Sequence, residues 1–541
     1  MTKTPWQTHP RPQLKRNSWH SLNGTWLLDG KEILVPFPPQ SRLSGFDSPV
    51  PEEFCYETTF AFPADFTKEV TLLHFGAVDQ IAEVWLNGQL LGKHEGGYLP
   101  FSFDISGCVK KDGENLLKVS VTDRLDKTYP YGKQTKKPGG MWYTAVSGIW
   151  QSVWLENVPK EYIHSVKLDA DLKGVTVTVE GVSSFSAEVD GKIHEFSGNS
   201  GRIDIEEPIL WTPDEPHLYP LILRAGEDKV ESYFALREIK IEKYSGISRV
   251  LLNGKPIFLH GVLDQGYYQD GIFLPHEPEE YDRDILRMKE LGLNLLRKHI
   301  KIEPDYFYYA CDKLGMLVMQ DMVNSGGYNF ILDTALPTIG LLKRPDYLGS
   351  AHGKRKDFFR QHMLDTIAHL HNHPSVVAYT IFNEAWGQFH SDKMYQLAKA
   401  ADPSRLYDST SGWFAQKDSD FDSPHIYFRT KKLTPRNRPL LLSECGGFTM
   451  TVEGHRWNPD KKYGYGSCPN SVELTAKIVD LYQKMIFPAI PDGCCGCIYT
   501  QLSDVEEEIN GFYTYDRQVC KVEKEEMRML SRRLIRTMRA L

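Results

Sequence analysis

No stretch of about 18 consecutive apolar residues interrupts this chain, so no membrane-spanning helix is expected. The first 20 residues, MTKTPWQTHPRPQLKRNSWH, contain no apolar core. No signal peptide is therefore expected, and the expected location is cytoplasmic. Excess positive charge is missing too. The 63 Lys and Arg against 71 Asp and Glu leave a formal net charge of −8, which gives no general reason to bind nucleic acid or an anionic membrane. In the most basic segment, Arg528 to Arg539, apolar Met527, Leu530, Leu534 and Met538 recur at helical spacing. It reads as an amphipathic closing helix. Cysteines number nine and are scattered. Cys494, Cys495 and Cys497 cluster as CCGC, with no second Cys pair or His-x-x-x-His to complete a zinc set. No metal or cofactor is expected, and reduced thiols in or beside a strand are.

Against these absences stands a chain of 541 residues, 41% hydrophobic and 12% aromatic. That length calls for several domains, and aromatic faces suit both β-sandwich cores and the apolar faces of sugars. Residues 1–158 read as all-β. Cys55–Pro63, Glu69–Phe75, Ile81–Asn87 and Leu116–Asp123 are short Val-, Phe-, Leu- and Thr-rich runs, and Leu117, Val119 and Val121 alternate with polar residues. Asn87-Gly88 between two such runs is a hairpin signal. Residues 159–242 alternate again at Val175, Val177 and Val179 and at Leu221 and Leu223. A second, smaller sandwich of immunoglobulin type is expected there.

From residue 243 onward the pattern changes to strand–helix alternation. Apolar runs at Phe258–Val262, Leu295–His299, Met316–Met322, Val376–Glu384, Leu406–Thr410, His425–Phe428, Leu440–Glu444 and Gly496–Leu502 are separated by amphipathic stretches. Eight strand–helix units predict a (β/α)8 barrel over 243–541. No Gly-rich phosphate loop follows its first strand, which argues against a doubly wound sheet. The long connection Val323–Lys354 is expected to hang over the barrel mouth.

Barrel active sites lie at the C-terminal ends of the strands. The fourth run ends in Asn383-Glu384 and the seventh in Ser443-Glu444. Two carboxylates facing one pocket are the machinery of glycoside hydrolysis, one giving a proton to the leaving oxygen and the other attacking the anomeric carbon. Glu384 and Glu444 are the candidate catalytic pair. Asn383 is placed to contact the hydroxyl beside the anomeric centre. Arg297 and His299 end the second run, where a cation can orient a carboxylate. Tyr427 can donate to the nucleophile, and His425 lies on the same side of its strand. Trp386 and Trp413 can stack on sugar rings. Asp264, Asp321, Gln501 and Asp504 complete the candidate ring.

With these residues in view, the chain resembles glycoside hydrolase family 2, the β-galactosidases, β-glucuronidases and β-mannosidases. The likeness rests on YTAVSGIWQSVWLE (143–156), LWTPDEPHLYPL (210–221), FLHGV (258–262), NLLRKH (294–299) and FNEAWG (382–387). It implies a sugar-binding jelly roll, an immunoglobulin-like domain and a catalytic barrel. It also implies retaining double displacement, with Glu384 as acid/base and Glu444 as nucleophile. Two departures bear on the sugar. The family's glucuronidases hold the substrate carboxylate with Asn-x-Lys after the eighth strand, whereas this chain has Asn510-Gly511-Phe512. The Trp-rich eighth strand of familiar β-galactosidases is replaced by IYTQLSDVEEEING. The expected activity is a retaining exo-β-glycosidase of β-galactosidase type acting on carbohydrate, with β-glucuronidase or β-mannosidase as alternatives. A catalytically silent carbohydrate-binding protein is the non-enzymatic alternative. Exposed sandwich edges make a homo-oligomer an expected assembly.

Overall fold

The structure, a computed structural model, describes residues 4–329, 331–338, 346, 353–427 and 430–541. In the first domain two sheets enclose one core. Four strands run in the order Trp19–Ser21, Val153–Val158, Val70–Phe75, Phe101–Asp104, and six in the order Lys31–Val35, Gly24–Leu28, Glu53–Ala61, Glu114–Thr122, Ile81–Leu86, Gln89–Glu95. Leu117, Val119 and Val121 are buried while Lys118 and Ser120 between them are half-buried, as strand alternation requires. Asn87 and Gly88 have φ of 52° and 85° and join Leu86 to its partner Gln89, the left-handed pair that a tight hairpin turn needs.

The middle domain packs a three-stranded sheet against a four-stranded one around Val175, Val177, Val179, Leu221 and Leu223. It is tied to the barrel by polar anchors. The Trp211 indole donates to the Asp312 carbonyl at 2.8 Å, and Arg237 donates to the carbonyls of Pro374 and Val376. A hairpin of Ile239–Tyr244 and Ile247–Leu252 then leads into the barrel. Its Val250 and Leu252 share a buried cluster with Leu259, Leu295, Leu317, Leu441 and Ile498, residues of the barrel strands.

The barrel strands are, in chain order, Leu259–Asp264, Leu295–Lys298, Leu317–Asp321, Val376–Asn383, Leu406–Ser411, His425–Ile426, Leu440–Gly446 and Cys494–Thr500. They form one parallel sheet of eight, with the fifth and sixth at its two ends. A bridge between Gly412 and Pro424 joins those ends. Helices Glu279–Glu290, Asp305–Leu314, Gly353–Leu370, Ser391–Ala401, Ser471–Leu481 and Lys524–Arg539 follow strands one, two, three, four, seven and eight. The expectation of eight strand–helix units is corrected here. Among the described residues no helix follows the fifth or sixth strand. Those short connections carry Gly412, Pro424, Pro435 and Pro439, which interrupt helical hydrogen bonding.

The closing helix buries Met527, Leu530, Leu534 and Met538. Cys494, Cys495 and Cys497 are buried free thiols of the eighth strand. Among the described residues, no helix is long and apolar enough to cross a membrane. Much of the Val323–Lys354 connection and Phe428 lie outside the described residues.

Candidate active site

The site is assembled by strand register at the carboxyl ends of the barrel. Arg297 lies two residues beyond Leu295 on the second strand and so points into the barrel on the same side. Its guanidinium is fully buried and every arm is used. Nε donates to both oxygens of Asp321 at 3.0 and 3.1 Å, Nη1 to Glu444 Oε1 at 3.0 Å and the Ser443 carbonyl at 2.9 Å, and Nη2 to Asn383 Oδ1 at 2.8 Å. One planar cation thereby fixes groups from the third, fourth and seventh strands. Asn383 gives its carbonyl oxygen to Arg297, which leaves its amide N–H2 as the group available to a ligand.

Glu444 sits where the register between the seventh and eighth strands jumps, between Leu442 and Cys445. Such an irregularity re-aims a side chain. Its Oε1 receives Arg297 and its Oε2 the Tyr427 hydroxyl. Burial raises the Glu444 carboxyl, but the charges of His425, Arg297 and His299 outweigh it, with Lys133 adding to them, and lower it to about 2. The group is held as a carboxylate. His425, the register partner of Glu444 on the sixth strand, stands between the two candidate carboxylates. Its Nδ1 is 2.8 Å from Glu384 Oε1, and its Nε2 is 3.6 Å from Glu444 Oε1 and 2.8 Å from Ser411 Oγ. The nearest oxygens of Glu384 and Glu444 lie within 4.8 Å of one another.

Glu384 follows the end of the fourth strand on a turn in which both it and Ala385 adopt left-handed backbone, φ 50° and 59°. For residues with a Cβ this costs about 1–2 kcal/mol each. The turn is held by Glu384 N–H to the Ser411 carbonyl and Trp386 N–H to the Asn383 carbonyl. Gly387 closes it at φ 67°, where a Cβ would lie 2.1 Å from the Ser325 carbonyl oxygen. The local sequence Asn-Glu-Ala-Trp-Gly is thus partly a backbone requirement.

The other candidates divide by position. His299 Nδ1 donates to Asp321 Oδ2 at 2.6 Å, and the ring is buried beside Arg297. Asp321 therefore orients Arg297 and His299. Trp413, half-buried, meets His425 edge-on at 5.7 Å, with its indole N–H on the Asp333 carbonyl at 2.8 Å. Asp264 is held away from these groups. Its oxygens go to Lys298 Nζ at 2.5 Å and Gly266 N–H at 2.9 Å, in a buried cluster with Glu303 and Lys301. Gln501 donates to Asn510 at 2.9 Å, and Asp504 is paired with Lys521 at 2.6 Å. Trp386 is buried, 4.8 Å from the Trp142 ring and 5.5 Å from that of Tyr131.

Sequence reading missed the contribution of the first domain. Residues 131–144 reach the barrel. Tyr131 and Gly132 donate main-chain N–H groups to the Asn324 carbonyl, Thr144 N–H donates to Glu506, and the Tyr143 hydroxyl bonds Glu508. Lys133 lies in this segment, close enough for its charge to act on Glu444, His299 and Glu508. The stretch YGKQTKKPGG carries the Gly and Pro of a loop, but nothing local to it encodes where that loop docks.

Glu384, His425 and Glu444 present three potential ligand atoms. Those atoms already engage one another, Arg297 and Ser411, so the set suits proton and carbon chemistry better than a cation.

Three family descriptions match in succession: the glycosyl hydrolase 2 galactose-binding domain-like family at residues 31–164, glycosyl hydrolases family 2 at 155–237, and the TIM barrel domain of glycosyl hydrolases family 2 at 243–434. The chain belongs to glycoside hydrolase family 2. A putative beta-glucuronidase of Formosa agariphila is 26% identical over 473 residues, covering 79% of this chain and 41% of that one. A beta-galactosidase of Thermoanaerobacter pseudethanolicus is 27% identical over 296 residues, covering 49% and 39%. The chain therefore spans less than half the length of these two family 2 relatives. In fold it is similar to solved beta-glucuronidase structures. One from an uncultured Clostridium has a TM-score of 0.75 at 19% identity, covering 97% of this chain and 99% of that one. One from Dictyoglomus thermophilum has 0.73 at 19%, covering 97% and 98%.

Proposed function

We propose that this family 2 chain is a retaining exo-β-glycosidase, with Glu444 as nucleophile and Glu384 as general acid and then general base. The observation that carries the reading is the approach of the two carboxylates to within 4.8 Å. That fits the short separation of retaining enzymes, about 5–5.5 Å, rather than the ~6.5–9.5 Å that leaves room for a water in inverting ones.

In the first step a Glu444 oxygen bonds the anomeric carbon as the glycosidic C–O bond breaks, and Glu384 gives its proton to the departing oxygen. In the second, Glu384 takes a proton from water, the water oxygen bonds the anomeric carbon, and Glu444 leaves. Arg297 and Tyr427 keep the nucleophile ionised and aimed. The Asn383 amide, fixed by Arg297, is placed to donate to the neighbouring sugar hydroxyl, a bond that strengthens in the transition state. His299, His425 and Trp413 line the same end of the barrel, and the first-domain segment 131–144 walls it, which favours release of one terminal sugar. Among the relatives both beta-galactosidase and beta-glucuronidase names occur, so galactosides and glucuronides head the substrates to test.

The test is a panel of aryl β-glycosides, with the anomeric form of the first-released sugar read by NMR. Retention is expected, as is loss of nearly all turnover in Glu444→Ala. An inverted first product, or undiminished turnover in that variant, would overturn the assignment. No turnover of any glycoside by the wild type would favour the silent carbohydrate-binding alternative.

A further inference from the structure

A lysine ammonium near a catalytic carboxylate that has no carboxylate partner of its own is available to pair with an anionic group on a ligand. The lysines of the barrel near this site are committed. Lys298 pairs with Asp264 and Glu303, Lys301 with Glu303, and Lys521 with Asp504. Lys133 is different. Among the described residues no carboxylate lies within 4 Å of its ammonium, whose one recorded contact is the Tyr143 ring at 5.9 Å. Its backbone is nonetheless rigidly placed. The Lys133 carbonyl accepts from Tyr143 N–H at 3.0 Å, and the preceding Gly132 donates to the Asn324 carbonyl at 3.3 Å. Gly132, at φ 69°, passes so close to the end of the second barrel strand that a Cβ there would lie 3.0 Å from the Ile300 carbonyl oxygen. Ile300 is next to His299. The side chain is half-buried. Its ammonium lies beside the Tyr143 ring, whose hydroxyl bonds Glu508, and its charge helps to lower the Glu444 carboxyl.

We propose that Lys133, delivered across the domain boundary from the first β-sandwich, recognises a carboxylate on the terminal sugar, so that the substrates are β-linked uronic acids. This rests on the retaining-glycosidase reading of Glu384 and Glu444. It also accounts for the sequence after the eighth strand. Asn510 there is occupied by Gln501 and Glu508, and no lysine adjoins it, so the positive charge comes from another part of the chain. Tyr143 places Glu508 by its hydroxyl and Lys133 by its main chain. The segment thus joins the cation to the barrel wall on which the sugar rests.

The test compares kcat/KM for aryl β-D-glucuronide and β-D-galacturonide with that for the aryl β-D-galactoside and β-D-glucoside. Wild type, Lys133→Met and Lys133→Arg are assayed, with thermal melting as a check of folding. Wild type is expected to favour a uronide over its neutral counterpart. In Lys133→Met the uronide-to-neutral ratio of kcat/KM should fall about 100-fold or more, as expected when one partner of a charge pair is truncated. Lys133→Arg should restore part of it. Neutral glycosides cleaved as well as uronides by wild type, or an unchanged ratio in Lys133→Met, would overturn the proposal while leaving the glycosidase reading standing. Failure of every glycoside would remove both. If Lys133→Met does not fold, calorimetric titration of folded Lys133→Arg and wild type with free D-glucuronate and D-galactose decides. A wild type that binds D-galactose as tightly as D-glucuronate excludes the carboxylate role.

Discussion

His425 and Glu444 are register partners on adjacent parallel strands, and the imidazole that results reaches from 3.6 Å off Glu444 Oε1 to 2.8 Å off Glu384 Oε1. One ring therefore touches both carboxylates. Replacing His425 by Phe should change the shape of the pH–rate profile as well as its height, because the charge that lowers Glu444 is lost. Profiles of kcat/KM from pH 4 to 9 for wild type and variant provide the check. A uniform drop with no change in shape would mean that the ring acts only as packing.

Glu384→Ala should discriminate by leaving group. An aryl glycoside whose phenolate leaves easily does not need the proton, so its first step should slow by less than about 10-fold. A poor leaving group should lose about 100- to 10,000-fold. Equal losses across a series of substituted phenyl glycosides would remove Glu384 from the acid role.

Arg297→Met should act through Glu444. The carboxyl, lowered from an ordinary 4.5 to about 2, favours the folded state at any pH above 4.5, and that contribution is lost as pH falls from 4.5 toward 2. Without the guanidinium the carboxyl moves back up. The acid limb of kcat/KM should then shift to higher pH by about one unit or more. Removing the buried cation that Asp321 and Glu444 share should also cost about 3–5 kcal/mol of stability. Thermal melting and the pH–rate profile measure the two effects separately.

His260 and His362 give a stability signature unrelated to catalysis. Burial, the first cause at each, lowers both from 6.5 to about 4. Their folded-state affinity for protons is below that of the unfolded chain, so the unfolded state binds more protons as the medium acidifies. Stability should be complete above pH 6.5 and decline between 6.5 and 4. Melting temperatures across that window should fall, and His362→Phe should flatten the slope. An equal slope in the variant would exclude His362 as a contributor.

Trp386→Ala should loosen the join between domains. Its ring lies 4.8 Å from Trp142 and 5.5 Å from Tyr131, and its indole N–H bonds the Gly326 carbonyl at 3.0 Å. Loss of a buried tryptophan costs about 3–5 kcal/mol. The effect should appear in thermal melting and as a raised KM, since the first-domain segment walling the site would lose its seat.

Much of the architecture is written in local patterns. Alternation at Leu117, Val119 and Val121 marked one strand of the sandwich, and Asn87-Gly88 marked a hairpin, because φ above zero is a property of those residues themselves. The barrel strands emerged within a few residues of their ends, because buried parallel strands are continuous apolar runs. Among the described residues helices follow six of the eight strands, and the connections after the fifth and sixth carry residues that break helices.

The sequence by itself determined that two glutamates would stand at strand ends, because an acidic residue closing an apolar run must surface at the rim. It also determined that an asparagine would precede one of them. Only the tertiary structure decided that Arg297 joins Asp321, Asn383 and Glu444, that Asp264 turns instead to Lys298, and that the segment carrying Lys133 docks on the barrel from another domain. Contacts between residues more than a hundred positions apart depend on how sheets and domains pack, and no periodicity along the chain encodes them.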